Sequence, residues 1–152
     1  MMMHEAGSRG MWQVLCFTPY SADVRGNMPN NRKATVGKTR TTEQVFFDHL
    51  EKRQKGLEEE DIKQNYSPDV VQLTCMGIFR GHDGVREGNR ILQDSLPAGR
   101  FEYYNTLVEG EMAFLEWRGF ADGCEIKEGA DSFLIRDGRI IVQTIHYKVH
   151  EK

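Results

Sequence analysis

Residues Met112 to Val149 read MAFLEWRGFADGCEIKEGADSFLIRDGRIIVQTIHYKV, and this stretch decides the fold. Asp-Gly stands twice between strand-like runs, at Ala121-Asp122-Gly123-Cys124 and at Arg136-Asp137-Gly138-Arg139. The dipeptide suits a type I′ turn, whose two central residues both need positive φ. The runs Met112–Ala121, Cys124–Arg136 and Arg139–Val149 are therefore read as consecutive antiparallel strands. Phe101–Val108 joins them through Glu109-Gly110-Glu111. A meander of four strands preceded by helical patterns predicts an α+β domain with helices on one sheet face.

Upstream, Thr41-Thr42-Glu43-Gln44 has the form of a capping box. Val45, Phe46, Phe47, Leu50 and Leu57 supply the apolar face of a first helix that ends at Gly56. Glu58 to Tyr66 predicts a second helix with its acids at the favourable N-terminal end, stopped by Ser67-Pro68-Asp69. A strand over Val70–Cys75 and a short extended piece over Gly77–Gly81 follow. A third helix runs from Asp83 to Leu96, closed by Pro97 and Gly99. The order predicted is helix, helix, strand, short strand, helix, four strands.

The chain has 152 residues, enough for one domain that buries roughly two-thirds of its unfolded surface. Its formal net charge of −3 gives no reason to expect nucleic-acid binding. No apolar run reaches the length of a membrane span. Three cysteines, Cys16, Cys75 and Cys124, cannot all pair within the chain, and none forms a C-x-x-C, so a reduced cytoplasmic setting is expected. Charge is uneven: residues 1–41 hold six Lys or Arg against two Asp or Glu, and residues 42–152 hold fourteen against twenty-one. The basic segment, rich in Gly, Asn and Arg, reads as a flexible or loosely docked leader over residues 1–40. Trp12, Val14, Leu15, Phe17 and Tyr20 within it suit a short strand or a packed contact, and Met28 is an alternative start. The domain proper is placed at 41–149, with 150–152 as a tail.

Three phrases carry a family resemblance. Tyr66-Ser67-Pro68-Asp69-Val70-Val71 is similar to a junction into a first strand. Gly81-His82-Asp83-Gly84-Val85-Arg86 is similar to a glycine-started third helix, and Asp131 to Ile140 to a penultimate hairpin. In shared order these resemble the NTF2-like superfamily, closest to its SnoaL-like and ketosteroid-isomerase-like branches, over about Thr41 to Val149. The resemblance implies a cone: a strongly bent, mainly antiparallel sheet wrapped over three helices, with an apolar pocket at the open end. It further implies a homodimer through the convex sheet face and a small hydrophobic ligand or substrate.

The same cone hosts isomerases, cyclases, hydrolases and binding proteins, so function rests on the polar groups that face inward. Aligned on the isomerase pattern, the base carboxylate falls on Thr74, which cannot act as a base. The first-helix tyrosine falls on His49, and the oxyanion-hole aspartate on Asp131. The alignment implies an inward set of Phe114, Glu116, Arg118 and Phe120 on one strand, Asp131 and Phe133 on the next, and Gln143, Ile145 and Tyr147 on the last. Leu115, Trp117 and His146 then point outward, toward a second copy. Asp131 is the expected acid or base, its pKa raised by burial, and His49 assists it. Thr74, Phe114, Glu116, Arg118, Phe120, Phe133, Gln143, Ile145 and Tyr147 are the expected ligand contacts. Proton transfer on a carbonyl compound is the leading reading, with a non-catalytic binding or interaction module as the alternative. Water activation in the manner of limonene epoxide hydrolases is a third, incomplete because Ile145 stands where that family has its last-strand acid. No metal-ligand spacing, phosphate loop or cofactor motif is found.

Overall fold

The computed structural model describes residues 39–152. The leader expected over residues 1–40 and the alternative start at Met28 lie almost wholly outside the described residues. Three helices and seven strands follow in the order α1 (Thr42–Gln54), α2 (Glu58–Asn65), β1 (Tyr66–Thr74), β2 (Gly77–Arg80), α3 (Gly81–Ser95), β3 (Arg100–Glu109), β4 (Met112–Phe120), β5 (Cys124–Arg136), β6 (Arg139–His146) and β7 (Val149–Glu151). This is the α+β cone: an open, curved sheet of order β2-β1-β6-β5-β4-β3, with β7 pairing β5. All neighbours are antiparallel except β1 and β6. No helix among the described residues is long and apolar enough to cross a membrane.

Local chemistry sets the elements. Thr41 accepts from the Gln44 backbone N–H at 3.2 Å, and the Gln44 side chain accepts from the Thr41 N–H at 3.0 Å, closing the capping box. Gly56, at φ +69°, reverses the chain between α1 and α2. Asp137 and Gly138 both adopt positive φ, as the type I′ turn requires, and Arg136 faces Arg139 across it. At the other Asp-Gly only Gly123 has positive φ (+78°), so Ala121–Cys124 is a looser connection closed by Ala121 N–H donating to the Cys124 carbonyl. A left-handed glycine late in the loop is what longer hairpin connections use.

Several element boundaries move, and two of the shifts have a clear physical reason. Strand β1 begins at Tyr66, so Pro68 lies inside it. The β1–β6 register shifts between Tyr66 and Val71, where a missing N–H costs no ladder bond. Pairing also does not stop at Val149: Val149, His150 and Glu151 face Ile126, Glu125 and Cys124, so most of the expected tail is sheet. Phe46, Ile62, Tyr66, Val85, Leu115, Trp117, Phe133 and Ile135 belong to one continuous core between helices and sheet.

Candidate functional site

The site begins with α1 and α2. His49 and Arg53 are four residues apart and share one face of α1. The turn at Gly56 returns the first turn of α2 against that face, which seats Asp61 between them. Asp61 is wholly buried. It accepts from His49 Nδ1 at 2.9 Å, from Arg53 Nε at 2.7 Å and from Asn65 Nδ2 at 2.8 Å. Burial pushes this carboxyl up, but the His49 and Arg53 partners outweigh burial and hold it below the usual carboxylate range. An ionised Asp61 fixes the His49 proton on Nδ1. Among the described residues nothing bonds His49 Nε2.

The sheet supplies the second half. Asp131 on β5 is 8% exposed. Its Oδ1 accepts from Trp117 Nε1 at 2.8 Å and its Oδ2 from Gln143 Nε2 at 2.9 Å. Burial raises its pKa to about 6 although both N–H donors favour the ionised form. With its amide N–H turned to Asp131, Gln143 presents Oε1 to Tyr66 Oη and to Gln72 Nε2, each at 2.8 Å. Gln72 Oε1 is left buried and unpartnered among the described residues, pressed against Gly88 of α3.

These groups wall one cavity of about 200 Å³. His49, Arg53 and Tyr66 line it from the helix side, and Trp117, Asp131, Gln143 and Ile145 from the sheet. Leu92, Phe101, Tyr103 and Leu115 complete an apolar wall, and Glu58, Asn89 and Gln93 contribute polar lining from α2 and α3. Burial raises the Tyr103 hydroxyl to about 12, so it stays neutral. No group of three His, Cys, Asp or Glu among the described residues is arranged to hold a metal ion.

Of the residues expected to meet here, Asp131, His49, Gln143 and Ile145 do. Phe133 is fully buried behind them, its ring 5.2 Å from His49 and 5.4 Å from Phe46, so it supports His49 rather than lining the cavity. Tyr147 is buried against Trp117, ring centres 5.9 Å apart.

Strand β4 is turned over relative to the expectation. Leu115 pairs with Asp131 and Ala113 with Phe133, and directly paired residues share a sheet face. Leu115 and Trp117 therefore look inward, each 3% exposed. Phe114, Glu116, Arg118 and Phe120 lie on the outer face and do not line the cavity. Glu116 accepts from Asn105 Nδ2 at 2.8 Å, Arg118 lies over the Tyr104 ring and Arg100 over the Phe120 ring. The epoxide-hydrolase-like reading loses its β4 residues with this correction. A one-residue shift of register inverts a whole strand, and the alignment on the isomerase pattern carried that shift.

Thr74 is also misplaced: its hydroxyl donates to the Gly77 carbonyl and accepts from the Met76 N–H, capping the β1–β2 turn. Gln72, two residues earlier on the same face, is the buried polar group of β1. Arg53, Asp61, Tyr66, Gln72 and Trp117 escaped the sequence reading. The i,i+4 spacing of His49 and Arg53 was the available signal for one of them.

A profile of the SnoaL-like domain matches residues 44–143. The chain belongs to the SnoaL-like domain family. No curated protein matches its sequence. Among solved structures it is similar to a candidate ketosteroid isomerase from Kribbella flavida (TM-score 0.61, 14% identity, 75% of this chain and 82% of that one). An NTF2-like protein of unknown function from Cytophaga hutchinsonii matches with TM-score 0.57 and 15% identity over 73% and 94% of the two chains. A de novo designed protein with a curved β-sheet matches with TM-score 0.59 and 21% identity over 70% and 84%. At these identities the likeness shows the fold alone, and a designed protein among the matches underlines that the fold carries no activity by itself.

Proposed function

We propose that this SnoaL-like protein binds a small hydrophobic carbonyl compound in the cone and moves a proton on it. One observation carries the reading: a buried carboxyl titrating near pH 6, Asp131, and an imidazole held by Asp61, His49, wall the same small apolar cavity. A proton-transfer group works best with a pKa near the operating pH. Above about pH 6 Asp131 is a carboxylate. It takes a proton from the carbon next to the carbonyl; the electron pair of that C–H bond passes into an enolate with its charge on oxygen. Asp131 then returns the proton to another carbon of the conjugated system, so a double bond migrates and no atoms are gained or lost. His49, with Nδ1–H given to Asp61, has Nε2 available to accept an O–H of the substrate or its enol.

The test is conversion of 3-cyclohexenone to 2-cyclohexenone, followed by the ultraviolet absorbance of the conjugated product. Asp131→Asn is expected to lower the rate about 100-fold or more. A rate unchanged by the substitution overturns the assignment. A binding module without turnover is the second reading. It is favoured by the two N–H donors that already engage both oxygens of Asp131. Retained ligand binding with no turnover in the unsubstituted protein would select it.

We further propose that a second copy covers the outer sheet face in a cytoplasmic homodimer. Register places Leu107, Phe114, Ser132, Thr144, Leu73 and Ile78 in one row across six strands of that face. Leu73, Ile78 and Leu107 are exposed. Exposed apolar surface of this kind marks an interface. Trp117 and Leu115, expected at such a contact, are buried inside the cone and take no part. Light scattering should give twice the chain mass of 17.5 kDa; a monomer at micromolar concentration rejects the dimer.

A further inference from the structure

On the reading of the cavity as a site for a carbonyl compound, we propose that the substrate is a small, flat, one- or two-ring molecule bearing a carboxylate, and that Arg53 holds the carboxylate. Size comes first. A cavity of about 200 Å³ falls below the ~300–1,000 Å³ of pockets that enclose drug-sized ligands. A four-ring steroid or tetracyclic polyketide does not fit such a space, and one or two rings do. The walls suit a flat apolar body: Trp117 stands edge-on to Phe101 with ring centres 5.7 Å apart, and Leu92, Leu115 and Ile145 close the remaining sides.

Charge comes second. Arg53 is a cation on the cavity wall. Its Nε is committed to Asp61 at 2.7 Å, and its Nη2 lies at 3.5 Å from Tyr66 Oη, the limit of a hydrogen bond. Nη1 has no partner among the described residues, yet it is not sealed from solvent-sized space. The planar fork of a guanidinium is suited to a carboxylate. The neighbouring acids leave room for this role. Asp61 is already matched by His49, Arg53 and Asn65. Glu58, also on the wall, is drawn toward α3 by Asn89 Nδ2 at 2.8 Å and Gln93 Nε2 at 3.2 Å. Asp131 fixes the orientation. A ligand carboxylate beside an ionised Asp131 is repelled, so the acid end lies at Arg53 and the carbon that exchanges its proton lies toward Asp131.

The test compares cinnamate with cinnamamide, which share shape and differ in charge, by calorimetric titration of the full chain at pH 7. Cinnamate is expected to bind about tenfold tighter or more, the effect of one charge-assisted pair. Arg53→Gln should bring cinnamate down to the level of the amide and leave the amide within about twofold. Because Arg53 also supports Asp61, that variant risks poor folding; the comparison in the unsubstituted protein and in Arg53→Lys needs no such variant, and Arg53→Lys should keep a reduced preference. Equal affinity for the two probes, no binding of either at millimolar concentration, or a preference that survives Arg53→Gln overturns the proposal. If the preference for cinnamate holds while 3-cyclohexenone is not turned over, proton transfer fails and the carboxylate subsite stands.

Discussion

Trp117 donates its indole N–H to Asp131 over 2.8 Å, and its ring occupies the space that residue 129 leaves by being glycine. Trp117 and Gly129 are cross-strand partners, so a Cβ on Gly129 would clash with the indole. The position of the Asp131 carboxyl therefore depends on an absent side chain at residue 129.

Gly129→Ala should force Trp117 aside and destabilise the fold by about 1–3 kcal/mol, the usual cost of overpacking. At this chain length that is a fall in Tm of roughly 2–10 °C. Thermal unfolding followed by Trp fluorescence checks it; an unchanged Tm with an unchanged emission spectrum contradicts the packing.

Trp117→Phe keeps a ring in place and removes one hydrogen bond to the carboxylate. That bond holds the Asp131 pKa down against burial. Its loss should raise the Asp131 pKa above about 6 and move the acid limb of the pH–rate profile to higher pH. Carbon-detected NMR titration of the carboxyl reads the same shift directly. A downward shift would mean that the Trp117 N–H does not hold the carboxylate down as described.

Asp131 also predicts how stability varies with pH. Its folded pKa, about 6, lies above its ordinary value of 3.8. The unfolded chain therefore releases this proton first, and stability is full below about pH 4 and falls as pH rises through 6. Roughly two pKa units amount to about 3 kcal/mol. Asp131→Asn should remove this decline, so unfolding by urea at pH 4 and pH 7 separates the two proteins. Parallel pH profiles would show that the carboxyl is not buried as described.

Asp61 works in the opposite sense. Its folded pKa is lowered, so its contribution is present at neutral pH and lost as pH falls into the acid range. Asp61→Leu leaves the half-buried Arg53 and the buried His49 without their shared partner and should cost about 3 kcal/mol, the low end for a broken buried pair because Arg53 keeps some contact with solvent. It should also lower turnover by freeing the His49 ring. Asp61→Asn, which keeps the shape and one acceptor, is expected to fold and to show the turnover defect alone. Full activity in Asp61→Asn removes His49 from the mechanism.

Glu116, Arg118 and Thr74 offer the complementary check. Each is bonded on the outer face or in a turn. Alanine at Glu116 or Arg118 should leave turnover of 3-cyclohexenone unchanged and stability within about 0.5 kcal/mol. A loss of activity in Arg118→Ala would restore the inward reading of β4.

The α+β class, the hairpin meander and the shared face of Asp131, Phe133 and Ile135 on β5 were legible from residues alone, while the cone came from the family resemblance. Asp137-Gly138 admits one tight turn, and the alternation of Asp131, Phe133 and Ile135 then assigns that face without any distant contact. The Thr41–Gln44 cap and the Gly56 break set α1 in the same local way. His49 was legible as a candidate through the isomerase resemblance, which sets it at the place of the first-helix tyrosine.

What sequence by itself determined is local: hairpin positions, helix limits, and which side of β5 and β6 carries Asp131, Gln143 and Ile145. Tertiary structure alone decided the facing of β4, because both of its faces carry large apolar residues and its hairpin register shifts between Trp117 and Gly119. It also decided which of four consecutive acids, Glu58 to Asp61, is buried. Three are matched to solvent or rim partners, and Asp61 is turned inward because the chain reversal at Gly56 brings it against His49 and Arg53. Period-two alternation ranks positions within a strand, but only pairing with a neighbouring strand, and only the docking of one helix on another, tells which of two equally apolar or equally charged faces meets the core.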